Sequence, residues 1–401
     1  LGKQLKTLRV KLLENAAAVK LFKHGKCVGG AHVVSITDNR TWNISTGATV
    51  LASGGATGLF PTLSGDPTNT GDALILGYEA GARLANLEFI EFTLIFRVRG
   101  AVLPIAGLAP FTSRGARMVD KDGSPVLERY YSEHEIQSLG RAEMLRAVVR
   151  ETAVGRAPAA LDCRHFSQTV WAEFERSQGP AVLDKIRAAG CDYRREPVEV
   201  LPAAHSILAG LVIDPNGATG VDGLWAAGEC ATGIHGAARL SGNGLGAALV
   251  FGRRAGRDAA RFASGQTGQI TIEAMDDGNG AQSAVLSPEE VEDLRAEIGA
   301  LAERSLGVIR EGKSLVSAEQ HFREIHQRLV STPALTDLSH LAMLGELMAG
   351  AALRREESRG LHFRTDHPEG RSDWCKWLTV TRNPDDGKPV WSQSDRLTPN
   401  N

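Results

Sequence analysis

An α/β fold is predicted, with one domain interrupted by an α+β domain and followed by a helical one, and three observations carry this reading. Apolar strands that end in glycine turns occur twice, far apart in the chain: Ala48–Ala52 runs into Ser53-Gly54-Gly55, and Gly223–Ala227 runs into Gly228-Glu229. Between them, residues 97–200 change character to mixed short strands and charged helices, with an amphipathic helix over 140–154. Finally, helical periodicity runs from 287 to about 357, opened by Ser287-Pro288-Glu289-Glu290. That opening combines an N-cap serine, proline at the first helical position and a glutamate at the third.

In chain order, residues 8–13 and 16–22 read as short strands, Lys26–Gly30 as a turn, and 31–36 and 43–45 as further strands of a β-meander. A helix is expected over 71–83, with Leu74, Tyr78 and Ala82 on one face. Glycine-rich α/β character returns at 209–262, so residues 1–96 and 201–264 are assigned to one domain and 97–200 to the inserted one. Residues 265–284 are polar and glycine-rich and read as a linker. A helical domain over 285–360 and a tail over 361–401 follow, and Trp374, Trp377 and Trp391 predict that the tail folds back on the body.

Composition narrows the function classes. A formal net charge of −2 gives no general pull toward nucleic acid or an anionic membrane. No apolar run reaches the ~18 residues of a membrane-spanning helix, so direct membrane insertion is not expected. Cys27, Cys163, Cys191, Cys230 and Cys375 lie far apart with no CxxC pair, which argues against a zinc or iron–sulfur site and against a disulfide framework. A reducing, cytoplasmic setting is expected. The 44 glycines occur without a low-complexity run and point to tight turns and close backbone approach to a ligand.

The densest motif is residues 223–256, GLWAAGECATGIHGAARLSGNGLGAALVFGRRAG. A strand ends at Gly228-Glu229, a loop carries His235 and Arg239, and a helix starts near Gly244, where free backbone N–H groups favour an adjacent negative charge. This segment resembles the C-terminal flavin-binding segment of the succinate dehydrogenase, fumarate reductase and L-aspartate oxidase flavoproteins, with Ala238 and Gly244 where that family has Asn and Ser. Val50–Ala56 resembles its VLATGG turn, Thr70-Gly71-Asp72 its TGDG, and Glu357–His362 with Asp366 and Pro368 its ESRGaH.R.D.P signature. The resemblance implies FAD as cofactor, a Rossmann-like FAD-binding domain present in part, and a capping domain. The implied cofactor residues are Ala52, Ser53, Gly54, Gly55, Asp72, Glu229, Arg239, Ser241, Gly244 and Leu245.

It also implies a site for a small anionic substrate. His205 and Arg239 would hold a carboxylate and Arg141 would move a proton, with Glu143 within reach as a relay partner. The chain departs from the family in three places. No GxGxxG fingerprint is seen, so weak FAD binding by this chain alone is expected, with an upstream segment or another chain supplying the nucleotide site. Glu91-Phe92-Thr93 replaces QFH, and Ala109–Ala116 lacks the family's acidic relay, offering Ser113 instead. A carboxylate at Glu91 is expected to disfavour dicarboxylates. The expected function is hydride transfer between flavin N5 and a carboxylate-bearing substrate, with an electron-transfer partner outside the chain and peripheral membrane association through partner subunits. The alternative is a catalytically degenerate protein that serves as a binding or assembly partner.

Overall fold

The computed structural model describes residues 2–8, 10–38, 40–103, 108–178, 180–266, 271–275, 286–330, 332 and 335–399. Strands Ala16–His24, Cys27–Ser35 and Thr41–Ser45 form an antiparallel meander. Its first turn lies at Gly25-Lys26, where Gly25 adopts φ +63°, and not at Lys26–Gly30 as expected. Gly29-Gly30 lies inside the second strand because strands pass too close there for a side chain: a Cβ on Gly30 would collide with the Ile44 carbonyl oxygen.

Two further expectations are corrected here. Residues 10–13 form no strand; Leu12 and Leu13 stay exposed, and apolar residues without a ladder to join do not make a strand. Inside the expected linker, Thr271–Met275 is the fourth strand of the meander sheet, pairing Ile272 with Ile44 and Ala274 with Trp42. Its polar neighbours hid a short β-prone run; residues 267–270 and 276–285 lie outside the described residues.

Strands Thr49–Leu51 and Leu224–Ala226 pair in parallel, register Leu51 to Ala226, and so bring the two glycine turns side by side. The helix Asn243–Ser264 returns along this pair, with Ala255 and Ala259 buried against Trp225 and the indole N–H donating to Asp258 at 3.0 Å.

The inserted region is built on an antiparallel five-stranded sheet ordered Ala101–Leu103, Ile90–Val98, Val198–Ile207, Ala159–Asp162, Arg117–Val119. Its two central strands cross the expected boundaries at 97 and 200, so the capping and FAD-binding parts share continuous strands. Helix Arg141–Ala153 lies on this sheet through Leu145, Ala147 and Val148.

The helical part follows the sequence reading, with the Ser287/Glu290 capping box in place and helices Pro288–Leu306, Gly312–Leu329 and Thr336–Arg354. Phe322 is fully buried over Gly345, where a Cβ would meet the ring at 2.7 Å; burial of such a ring stabilises by about 1.5–3 kcal/mol. The tail ends in a hairpin, Trp377–Arg382 with Pro389–Ser394, which extends a third sheet through Leu84–Ala85 to Gly210–Val212 and Ala231–Thr232.

Candidate active site

The site grows from one strand pair. Glu91 on Ile90–Val98 lies opposite Ser206 on Val198–Ile207, and a bulge between Ala204 and Ser206 breaks the regular alternation there. Ser206 Oγ donates to Glu91 Oε2 at 2.5 Å. Arg239, from the glycine-rich loop, donates to the same oxygen from Nη2 at 2.7 Å and Nε at 3.1 Å. Arg141, the first residue of its helix, pairs with Oε1. Gly244 is the second residue of the helix that follows the loop, and a Cβ there would stand 3.3 Å from Arg239 Nη1. Lacking one, it leaves the guanidinium room to reach Glu91.

Glu91 is only 2% exposed. Burial pushes its carboxyl pKa up, but the hydrogen bonds of Ser206 and Arg239 and the charges of Arg239 and Arg141 outweigh this and hold it below the ordinary value. It is therefore a carboxylate at neutral pH. The three charged groups line a cleft of about 590 Å³ together with Arg146, Ser358 and Arg359–Phe363. Gly360, at φ +55°, lets that second loop touch the first: a Cβ there would collide with the Ala237 carbonyl oxygen.

The structure distributes the other expected residues as follows. His205 accepts or donates one hydrogen bond, Nδ1 to Ser64 Oγ at 2.8 Å. Burial lowers its pKa; Glu91 opposes this, and Arg239 and Arg141 reinforce it, so the ring is neutral near pH 7. Glu143 does not partner Arg141 but pairs with Arg146 one turn along at 2.7 Å, because the helix carries it away from the strand. Thr93 is buried in the sheet, and Ser113 is exposed with its hydroxyl on the Pro110 carbonyl; neither lines the cleft.

Among the expected cofactor residues, Ala52 and Ser53 are exposed at the end of their strand, and Gly54 and Gly55 follow. Gly55 has no room for a side chain because Glu229 Oε1 occupies the place a Cβ would take. Glu229 accepts the Ile207 N–H at 3.0 Å, and burial raises its pKa despite that hydrogen bond and the charge of Arg239. Ser241 is exposed and Leu245 is 81% exposed at the start of the long helix. Asp72 points elsewhere: it accepts from Thr70 at 2.5 Å and meets His340 Nδ1 at 2.7 Å, tying its helix to the helical part.

Residues 1–245 match the family described as FAD binding domain, and residues 295–396 match Fumarate reductase flavoprotein C-term. This chain belongs to the flavoprotein family of succinate dehydrogenase, fumarate reductase and L-aspartate oxidase. L-aspartate oxidase of Streptomyces coelicolor is 33% identical over 365 residues, covering 84% of this chain and 60% of that protein. The fumarate reductase flavoprotein of Mycobacterium tuberculosis is 29% identical over 408 residues, covering 90% and 68% respectively. The solved Mycobacterium smegmatis Sdh1 in complex with UQ1 superposes with a TM-score of 0.81 at 26% identity, covering 99% of this chain and 71% of that one. The chain thus spans between 60% and 71% of these relatives' lengths.

FAD is the family's cofactor, and the residues here fit its flavin end. Cβ atoms at Gly228, Gly236 and Gly242, all at positive φ, would meet nothing within 4 Å, so this loop borders open space beside the uncovered Leu240 and Leu245. Glu229, Ser53 and the N-terminus of helix Asn243–Ser264 border the same end of the parallel strands. Among the described residues no group of three or more His, Cys, Asp or Glu could hold a metal ion, and no helix is long and apolar enough to cross a membrane.

Two contributors escaped the sequence reading. Ser206 neighbours a singled-out histidine, yet regular alternation would send the two to opposite faces; only the bulge makes it a ligand of Glu91. Arg359 lay inside a recognised motif but carried no assigned role. It lines the same cleft as Arg141 and Arg239, held by Glu357 at 2.8 Å.

Proposed function

We propose that this chain is the greater part of an FAD-dependent oxidoreductase whose substrate carries a single carboxylate beside the reacting carbon, with a CH–CH or CH–NH2 group as hydride donor. One observation carries the reading: Glu91 stands between Arg141 and Arg239, so the two guanidiniums present one net positive charge to the cleft. A second carboxylate bound beside this pair would approach Glu91, at a cost of about 1–4 kcal/mol at 4 Å depending on the effective dielectric.

Each residue then has a role. Arg239 is fixed by two bonds to Glu91 and keeps one nitrogen for a substrate oxygen, an orienting contact of the kind that makes reaction effectively unimolecular. Arg141, whose side chain is 36% exposed, spans from Glu91 to the cleft and moves the substrate proton along that ion pair. His205, neutral and tethered to Ser64, contributes hydrogen bonding and not charge. Bound FAD would take up or return the hydride at N5. Electrons would leave to a partner outside the chain, an iron–sulfur protein, a quinone pathway or oxygen, and any membrane association would be peripheral, through partner subunits.

The test is an absorbance titration of the flavin-loaded protein with succinate, malonate and a monocarboxylate series. Monocarboxylates should perturb the flavin bands at lower concentration, and one of them should bleach the bands. Micromolar binding of succinate or malonate would overturn the proposal. The same ion pair supports a second reading: if no anion perturbs the bands, Glu91 has permanently taken the substrate's place and the chain is a binding or assembly partner.

A further inference from the structure

We propose that a second, rear cleft, built on the same strands and helix as the front cleft that holds Glu91, binds a free amino acid with a large apolar side chain and transmits its occupancy to the front one. This cleft has a volume of about 750 Å³ and shares no lining residue with the first. It opens where the sheet, helix Arg141–Ala153 and the segment after helix Pro288–Leu306 meet.

The coupling follows from shared elements. On strand Ile90–Val98, Glu91 lines the front cleft, and Phe92 and Arg97 line the rear one. On strand Val198–Ile207, Ser206 reaches Glu91 while Leu201 and Pro202 line the rear cleft. Helix Arg141–Ala153 does the same along its length: Arg141 and Arg146 border the front, Val148 and Thr152 the rear. A ligand wedged among these three elements therefore bears on the ones that position the Arg141–Glu91 pair.

The chemistry of the walls names the ligand class. Phe60 and Phe92 meet edge to face, centroids 5.3 Å apart at 81°, a surface on which a further ring or branched chain packs well. Four charges line the cleft. Arg97 and Glu199 satisfy each other at 2.7 Å. Glu303 and Arg304, adjacent on the last turn of their helix, make no ion pair among the described residues. One free negative and one free positive group beside an apolar floor match an α-ammonium, an α-carboxylate and an apolar side chain.

L-Phenylalanine is the probe, titrated calorimetrically into the flavin-loaded protein, with 3-phenylpropionate and phenethylamine lacking one head-group charge each. L-Phenylalanine should bind with a dissociation constant on the order of a millimolar or tighter, and each analogue several-fold more weakly. Thr152→Trp, at an exposed helix position, should abolish this binding by filling the cleft, and Arg304→Gln or Glu303→Gln should weaken it by about three- to fivefold. Hydrogen exchange across Arg141–Ala153 should slow on binding. No binding at ten-fold higher concentration, binding indifferent to Thr152→Trp, or binding lost in Arg239→Lys would overturn the rear site. Binding without altered exchange would overturn the coupling. None of these readouts depends on turnover, so the substrate reading can fail while this one stands.

Discussion

Two carboxylate–guanidinium clusters grow from neighbouring residues of one segment and end in opposite conditions. Glu88 anchors the first: Arg355 donates to it at 2.5 Å and to Glu357 at 3.0 Å, with the carbonyls of Trp374 and Lys376 taking further donors, and Phe89 and Trp374 flank the guanidinium. All three charged groups are buried, Arg355 at 1% exposure and both glutamates at 0%. Glu91 anchors the second cluster, three residues on, yet Arg141 and Arg239 reach it from the wall of a cleft. The first arginine has its donors taken by protein. The second pair keeps donors facing open space. Similar chemistry serves as a closed joint in one place and as an unsaturated site in the other, and access is what separates them.

The largest effect should come from the closed cluster. Arg355→Ala leaves Glu88 buried without its ion-pair partner, and stability measured by urea unfolding should fall by about 3–5 kcal/mol. A loss below about 1 kcal/mol would mean the two clusters do not differ as described. Arg239→Lys keeps charge but loses the fork. Turnover of the complete enzyme should fall by roughly two orders of magnitude, for ~2–3 kcal/mol of charged hydrogen bonding, with little change in the unfolding midpoint. Normal turnover would remove this arginine from the site.

Glu91→Gln sharpens the comparison from the other side. It keeps the shape and returns a unit of positive charge to the cleft, so succinate and malonate should gain about tenfold on monocarboxylates in a flavin titration. An unchanged preference would show that Glu91 does not set the charge of the pocket. The smallest effect is in pH. His205 has a folded-state pKa below the ordinary histidine value, so it stays neutral from pH 8 to 7 and charges only as pH falls below about 6.5. Anion affinity should be flat above pH 7 and rise severalfold in mild acid, and His205→Gln should flatten that rise. The same sign makes its stability contribution complete above the unfolded pKa and lost as pH falls through the folded one.

Local motifs were legible. Arg239, Gly244, Glu229 and the turn at Ser53–Gly55 sit within short runs that resemble the family's motifs, and the Ser287 capping box announced its helix. Contacts made across distance were not. Nothing around residue 91 says that its carboxylate will be held by residues 141, 206 and 239, since that depends on strand register and on a bulge. Asp72 lies in a recognised turn, yet its partner His340 comes from the other end of the chain. The strand Thr271–Met275 was missed for the same reason: five residues pair only because Thr41–Ser45 offers an edge.

The hairpin of Trp377–Arg382 and Pro389–Ser394 has a consequence for how this protein is made. Leu84–Ala85 takes Trp377–Arg382 as a neighbour, so the middle of that sheet waits on about 300 residues of intervening chain. As the polypeptide leaves the ribosome, this side of Leu84–Ala85 stays unpaired until Trp377–Arg382 has appeared. A frameshift or premature stop anywhere before residue 377 would leave that edge bare, open to pairing with another nascent chain.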